Sequence, residues 1–165
     1  VGPMQTAVVT VGQLTGGDTF NVIPPTAHMR GTLRTFDPAV RETALRRVQE
    51  IVEGTARTMG ADVAFTLYPL SPAVVNDAKV TALVQDVIKD LFGPDTLKTD
   101  ERTMGSEDAA FFLQEVPGCY IFIGSGFTGR EAPAHHSPTF DIDEQALVNG
   151  VAVVVESLQR LMPVK

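Results

Sequence analysis

The stretch from Asp37 to Gly60 constrains the fold of this chain more than any other. Asp37 can cap the free N–H groups of a helix, and Pro38 suits the first helical position. Val40, Ala44, Val48, Ile51, Val52, Thr55 and Met59 then recur at helical spacing, with Arg41, Arg46, Arg47, Glu50 and Arg57 on the other side. Gly60 is a natural stop. A helix with one apolar stripe needs a second layer to bury it, and the flanks offer one. Thr6–Gln13 and His28–Phe36 read as strands, the latter alternating Met29, Gly31, Leu33 and Thr35 against Arg30, Thr32 and Arg34. Thr15-Gly16-Gly17-Asp18 reads as a turn, Phe20–Ile23 as a short extended piece stopped by Pro24-Pro25, and Asp62–Tyr68 as a further strand. The first part is therefore expected to be a sheet with a helix on one face.

Pro69–Asn76, rich in proline and small residues, is expected to hold a domain boundary, dividing the chain into 1–70 and 71–165. Beyond it, Asn76 is expected to cap a helix with the stripe Val80, Leu83, Val84, Val87, Ile88 and Leu91, ended by Gly93-Pro94. Ser106 is expected to cap a short helix with Glu107 and Asp108 in its first turn. Cys119–Ile123 is a continuous apolar run, as in a strand covered on both faces, and Gly124–Ala134 reads as a loop. Asp143 or Glu144 opens a last helix with Leu147, Val151, Val154, Leu158 and Leu161 inward. The whole reads as an α/β protein.

Composition narrows the partners. A hydrophobic fraction of 44% and a charged fraction of 20% fit a soluble globular chain rather than a disordered one. A formal net charge of −7 argues against a nucleic-acid backbone as main partner. No apolar run reaches the length of a membrane span, and no secretory leader is read at the start. The single cysteine, Cys119, lies in an apolar run and suits a buried thiol in a reducing, cytoplasmic compartment. The chain opens on Val1 and enters a strand-like segment within a few residues, as expected of a chain cut inside a domain.

Three groups of residues can carry chemistry. His135-His136 follows a Gly-rich loop after an apolar strand, where α/β folds place ligand sites, and neutral imidazole is a common metal ligand. Pro138 restricts the backbone just beyond the pair. Taken alone, such a pair is more often solvated or hydrogen-bonded than metallated. A closed zinc site takes about four protein ligands; the chain has only three His and one Cys in all, and His28 lies across the expected boundary, so a complete site from this chain alone is not expected. Met104-Gly105-Ser106-Glu107-Asp108 is a glycine turn entering a helix. It offers N–H donors to an anion, or is simply an acidic helix start. Asn21 and Arg34 lie on neighbouring extended segments and can clamp a carboxylate, or serve as a turn residue and a solvated cation. No phosphate-binding glycine fingerprint or nucleophile elbow is present.

Taken in order, these segments become specific. Gly16-Gly17 leads to Asn21-Val22-Ile23-Pro24, then Gly31-Thr32-Leu33-Arg34-Thr35-Phe36-Asp37. Met104–Asp108 follows, then His136-Ser137-Pro138 with Phe140-Asp141-Ile142-Asp143-Glu144. The series covers nearly the whole chain. It resembles the metal-dependent amidohydrolase family of hippurate hydrolase, N-acyl-amino-acid amidohydrolases, indole-acetyl-amino-acid hydrolases and related carboxypeptidases.

The resemblance implies a partial ferredoxin-like lid or dimerisation domain, to about Tyr68, followed by the C-terminal portion of an α/β di-metal catalytic domain. It implies two divalent ions in the complete enzyme (zinc, manganese, cobalt or nickel), with His136 as one ligand and His135 a neighbour. It implies that Asn21 and Arg34 reach a substrate carboxylate, often across a homodimer, with Gly105 and Glu107 close to substrate. The substrate implied is a small N-acyl amino acid or short peptide, with no nucleic acid or membrane as partner. The family's Cys-His and Glu-Glu motifs, its general base and its lid histidine lie upstream and have no counterpart here. Ala109-Ala110 departs from relatives that carry an aromatic after Glu-Asp, which puts substrate preference in question. The competing expectation is a non-catalytic dimerisation or ligand-binding module built on the same sheet. A structural metal site is the third reading, and the shortage of ligands argues against it.

Overall fold

The computed structural model describes residues 2–131 and 133–162. The chain is mixed α/β and divides into two compact units, treated separately here. The first runs to Ala73 and also takes in Thr103–Glu107; the second holds Val74–Arg102 and the chain from Asp108 onward.

In the first unit, β1 (Ala7–Gly16) and β2 (Ala27–Thr35) form an antiparallel hairpin. Ala7 opposes Thr35 at its open end, and Gly16 opposes Ala27 beside the connection. Val11 faces Gly31 and Gln13 faces Arg30, so Gly12 is the extra residue of a β-bulge. The strands crowd there: a Cβ on Gly31 would sit 2.3 Å from the Thr10 carbonyl oxygen. Glycine is what lets the two backbones approach. Phe20–Ile23, expected as extended, instead belongs to the hairpin connection, with a turn at Phe20-Asn21.

Helix α1 (Pro38–Thr58) starts as expected, Asp37 Oδ1 accepting from the N–H groups of Ala39 at 2.7 Å and Val40 at 3.3 Å. It ends in a left-handed turn at Gly60, φ 71°. There the N–H of Gly60 bonds the Arg57 carbonyl and the N–H of Ala61 bonds that of Ala56, the paired closure of a Schellman motif. Val40 and Ala44 are buried, whereas Ile51 and Met59 of the same stripe are exposed. Two strands span about 10 Å and a helix of this length about 30 Å, so the sheet covers only part of it. Asp62–Tyr68 does not form the expected strand: among the described residues only β1 and β2 pair, and a strand needs a partner for its backbone.

In the second unit, α2 (Ala78–Phe92) packs on α4 (Gln145–Leu161), with a 3-10 turn at Pro94–Thr96 and the short α3 (Ala109–Glu115) between them in sequence. Val84, Val87 and Val153 form the core, and Val80, Leu83, Ile88, Cys119 and Ile121 pack on it. The expected stripe of α2 thus faces inward from Val80 to Ile88, while Leu91 at its end is exposed. Its cap is Asp77, not Asn76: Asp77 Oδ1 accepts from Lys79 and Val80 at 3.0 and 2.9 Å. Asn76 instead brackets Tyr120, its Nδ2 donating to the Tyr120 carbonyl at 2.9 Å and its Oδ1 accepting from the Tyr120 N–H at 2.8 Å. A side-chain amide there does what a neighbouring strand would do.

Cys119–Ile123 joins no ladder among the described residues. It is also not covered on both faces: Cys119 and Ile121 meet the core while Phe122 is exposed. The inward face of α4 is corrected as well. Ala146, Val153 and Ser157 are buried, while Leu147, Val151, Val154, Leu158 and Leu161 face outward. Both rows recur at helical spacing, the buried one made of small side chains with Ser157 its polar member. Among the described residues no helix is long and apolar enough to cross a membrane.

Candidate functional site

Arg34 lies near the open end of the hairpin, opposite Val8, and is half-buried. Its Nη1 donates to the carbonyl oxygen of Met104 at 2.6 Å. This brings together two of the segments singled out in the sequence, seventy positions apart. Ser106 adds a second tie, its Oγ lying 2.7 Å from the Oγ of Ser71. Ser106 therefore does not cap a helix. Helix α3 begins only at Ala109, so Gly105, Glu107 and Asp108 all precede it rather than filling its first turn. Glu107 is half-buried, and its Oε1 lies 4.0 Å from where a Cβ on Gly105 would stand. Ala110, part of the departure from relatives, is buried at the start of α3.

The Arg34 guanidinium makes no ion pair among the described residues, and its Nε and Nη2 make no hydrogen bond there. A half-buried cation with one edge on a carbonyl and the other edge open is suited to a carboxylate, which takes two parallel N–H donors.

Asn21 is not part of this cluster. It sits in the exposed connection at the other end of the hairpin, its Oδ1 accepting from the Thr19 hydroxyl at 3.1 Å. From Ala27 to Arg34 the strand climbs about 23 Å at the usual rise per residue. Asn21 and Arg34 thus stand towards opposite ends of the hairpin.

The histidine pair lies in the second unit. The His135 ring packs edge-on against Phe140, centroids 5.2 Å apart. His136 is exposed, and its φ of 61° is the only positive φ among the described non-glycine residues. Such a backbone is uncommon outside glycine, and the two imidazoles stand edge to face, centroids 6.5 Å apart at an interplanar angle of 79°. The next residues form a rigid turn. The Phe140 N–H bonds the Ser137 carbonyl at 3.1 Å, Pro138 takes the second position, and Ser137 Oγ accepts from the Thr139 N–H at 3.2 Å. The loop is closed further by Asp143 N–H on the Ser125 carbonyl at 2.9 Å and by an Arg130–Asp141 ion pair at 2.6 Å.

His136 thus has a free imidazole on a constrained backbone, chemically fit as one metal ligand. Among the described residues no three His, Cys, Asp or Glu side chains converge on one point. The described residues thus offer candidate ligands singly and form no ligand set.

What sequence reasoning missed here are the hydroxyl pair Ser71–Ser106 and the carbonyl that Arg34 holds. Neither carries a motif. The pairing of Arg34 with Met104 joins residues seventy positions apart through a backbone atom, which residue type does not report.

Comparison with known proteins agrees with this class of fold. Residues 3–160 match the model of peptidase family M20/M25/M40. The chain belongs to that family. It is 36% identical over 164 residues to N-acetyl-L-cysteine deacetylase of Bacillus subtilis, covering 98% of this chain and 38% of that protein. It is 31% identical over 156 residues to IAA-amino acid hydrolase ILR1-like 4 of Arabidopsis thaliana, covering 92% of this chain and 36% of the relative. Among solved structures it resembles the YXEP protein of Bacillus subtilis, described as a dinuclear metal binding peptidase of the M20 family. That match has a TM-score of 0.74 at 30% identity, over 94% of this chain and 42% of the other. The chain spans less than half the length of these relatives.

Proposed function

We propose that this chain is the C-terminal part of a metal-dependent amidohydrolase that cleaves the amide bond of N-acyl amino acids or short peptides. The observation that carries this reading is the half-buried Arg34 guanidinium, bonded through Nη1 to the Met104 carbonyl next to Gly105 and with its other edge unbonded. Family membership and the deacetylase and hydrolase names of its relatives support it. In this reading residues 1–70 belong to a lid or dimerisation domain and 71–165 to the catalytic domain. Arg34 binds the substrate carboxylate, Gly105 and Glu107 line its surroundings, and His136 is a metal ligand. A divalent ion held by His136 and by ligands from outside this chain would supply an activated water. The chain's own residues bind and orient, which lowers the barrier by fixing the amide in place.

The hairpin geometry supports a homodimer. With Asn21 and Arg34 towards opposite ends of one hairpin, the two serve different sites, Asn21 that of a second copy. A cytoplasmic setting belongs to the same reading and rests on the lone half-buried thiol of Cys119.

The test uses the full-length gene product. Wild type is expected to hydrolyse N-acetyl amino acids and to carry divalent metal. Arg34→Gln is expected to raise KM for them at least tenfold, since a charged clamp is lost. His136→Gly is expected to lower metal content. Equal KM in the Arg34 variant and full metal in the His136 variant would remove both assignments. A dimer without turnover or metal would leave a binding module.

A further inference from the structure

We propose that Arg34 is a positioning residue as well as a ligand: with Ser71 it latches Thr103–Glu107 onto the first unit, and the Met104 carbonyl in turn aims its guanidinium. The second half of this statement rests on the carboxylate reading above; the latch itself does not.

Three observations carry it. Thr103–Glu107 is flanked on both sides by residues of the second unit, yet it clusters with the first. It has no regular secondary structure to hold it there. Among the described residues its hydrogen bonds across the sequence are two, Arg34 Nη1 to the Met104 carbonyl at 2.6 Å and Ser71 Oγ to Ser106 Oγ at 2.7 Å. A short segment without a ladder or helix opens locally at low cost, and its bonds to the body set how often it does so. A bond from a charged donor to a part-buried carbonyl is the stronger of the two.

The same carbonyl acts back on the arginine. A guanidinium is planar and its donors are fixed in one plane, so holding Nη1 restricts where Nε and Nη2 point. The open edge is then presented in one orientation instead of many. That is preorganisation of a carboxylate clamp by a backbone atom, and the same bond keeps Gly105, next in sequence to Met104, beside the clamp.

Trypsin tests the latch in the full-length protein without added substrate. Arg102 is exposed and immediately precedes the latched segment. Arg34→Gln is expected to speed cleavage after Arg102 about tenfold, the factor in local opening that a charged hydrogen bond carries. Ser106→Ala is expected to speed it a few-fold. In both, cleavage after Arg46, Arg47 and Arg57 in α1 is expected to stay at the wild-type rate. Unchanged cleavage after Arg102 in both variants would overturn the latch, as would a parallel rise at the α1 sites in both, which would mean general loosening.

A kinetic arm separates positioning from mere support. Ser106→Ala keeps the Arg34 charge but loosens its acceptor. It is expected to raise KM several-fold for an N-acetyl amino acid, with kcat unchanged, and to leave KM for the matching C-terminal amide alone. Equal shifts for acid and amide would refute the aiming role. If Arg34→Gln opens the Arg102 site but leaves KM for the acid untouched, the carboxylate reading fails and the latch stands.

Discussion

The tightest approach in the hairpin yields a quantitative forecast. A Cβ on Gly31 would lie 2.3 Å from the Thr10 carbonyl oxygen, and ordinary contact begins near 3.4 Å. The β1 backbone would have to retreat by about 1.1 Å, far more than a side chain could absorb, since the obstacle is main chain. Overpacking of this kind costs about 1–3 kcal/mol, and loss of one ladder hydrogen bond adds about 1 kcal/mol. Gly31→Ala is therefore expected to destabilise the first unit by about 2–4 kcal/mol, a fall in Tm of roughly 10 °C or more for a unit of this size. Gly12 provides the control from the same bulge: a Cβ there meets nothing within 4 Å. Gly12→Ala is expected to be neutral or to stabilise by up to about 1 kcal/mol, by restricting the unfolded chain. Urea unfolding followed by far-UV circular dichroism measures both, with equal m-values required for comparison. If Gly31→Ala lies within about 0.5 kcal/mol of wild type, or if Gly12→Ala is the more damaging, the account of the bulge is wrong. The site is coupled to this result, because Arg34 follows Gly31 by three residues on the strand whose register the bulge sets.

Other outcomes follow from local geometry. Asn76→Ala removes two bonds to the Tyr120 backbone and is expected to cost about 1–3 kcal/mol in thermal or urea unfolding, whereas Asn76→Asp, which cannot donate to the Tyr120 carbonyl, should recover at most part of that. Val153→Ala is expected to cost about 2 kcal/mol and the adjacent Val154→Ala close to nothing, because Val153 is 2% exposed and Val154 54%. Hydrogen bonds from Arg46 and Arg47 hold the Glu50 carboxyl below its ordinary value. A lowered folded-state pKa means stability that is present above the unfolded value and lost as pH falls through the folded one. Glu50→Gln should thus be slightly less stable than wild type at neutral pH, by an amount that shrinks with added salt, and the two should converge in acid.

Sequence reading succeeded where a local rule had one answer. Asp37-Pro38 and Gly60 delimit α1 because capping oxygen, fixed proline φ and left-handed glycine each act within a turn. The apolar spacing of α2 put Val84 and Val87 inward because no other face of that helix is apolar. It failed where two answers were locally equal. Helix α4 is apolar on more than one side, and periodicity cannot tell the Ala146–Val153–Ser157 row from the Leu147–Val151–Leu158 row; the approach of α2 decides. Asn76 and Asp77 are both good caps, and the choice falls to Asp77 because Asn76 is taken by Tyr120, forty-four positions on. Asp62–Tyr68 and Cys119–Ile123 have strand composition, but composition cannot supply the partner that makes a ladder. In the site, residue types pointed to Arg34 and to Met104–Asp108 separately; the bond between them runs through a carbonyl, which every residue has.

The discontinuity of the first unit has a consequence for the gene. Its residues are encoded in two stretches, and the shorter one is embedded in the coding region of the other unit. Recombination that exchanges a single continuous block between relatives, up to Ala73, would bring in a foreign Arg34 and Ser71 while leaving the resident Met104 and Ser106. Such chimaeras mix two lineages at every one of those pairings. A block exchange that is to keep the Ser71–Ser106 pairing within one lineage has to carry codons from the far side of α2 as well, whereas the Arg34 bond, made to a main-chain carbonyl, asks nothing of the residue at 104.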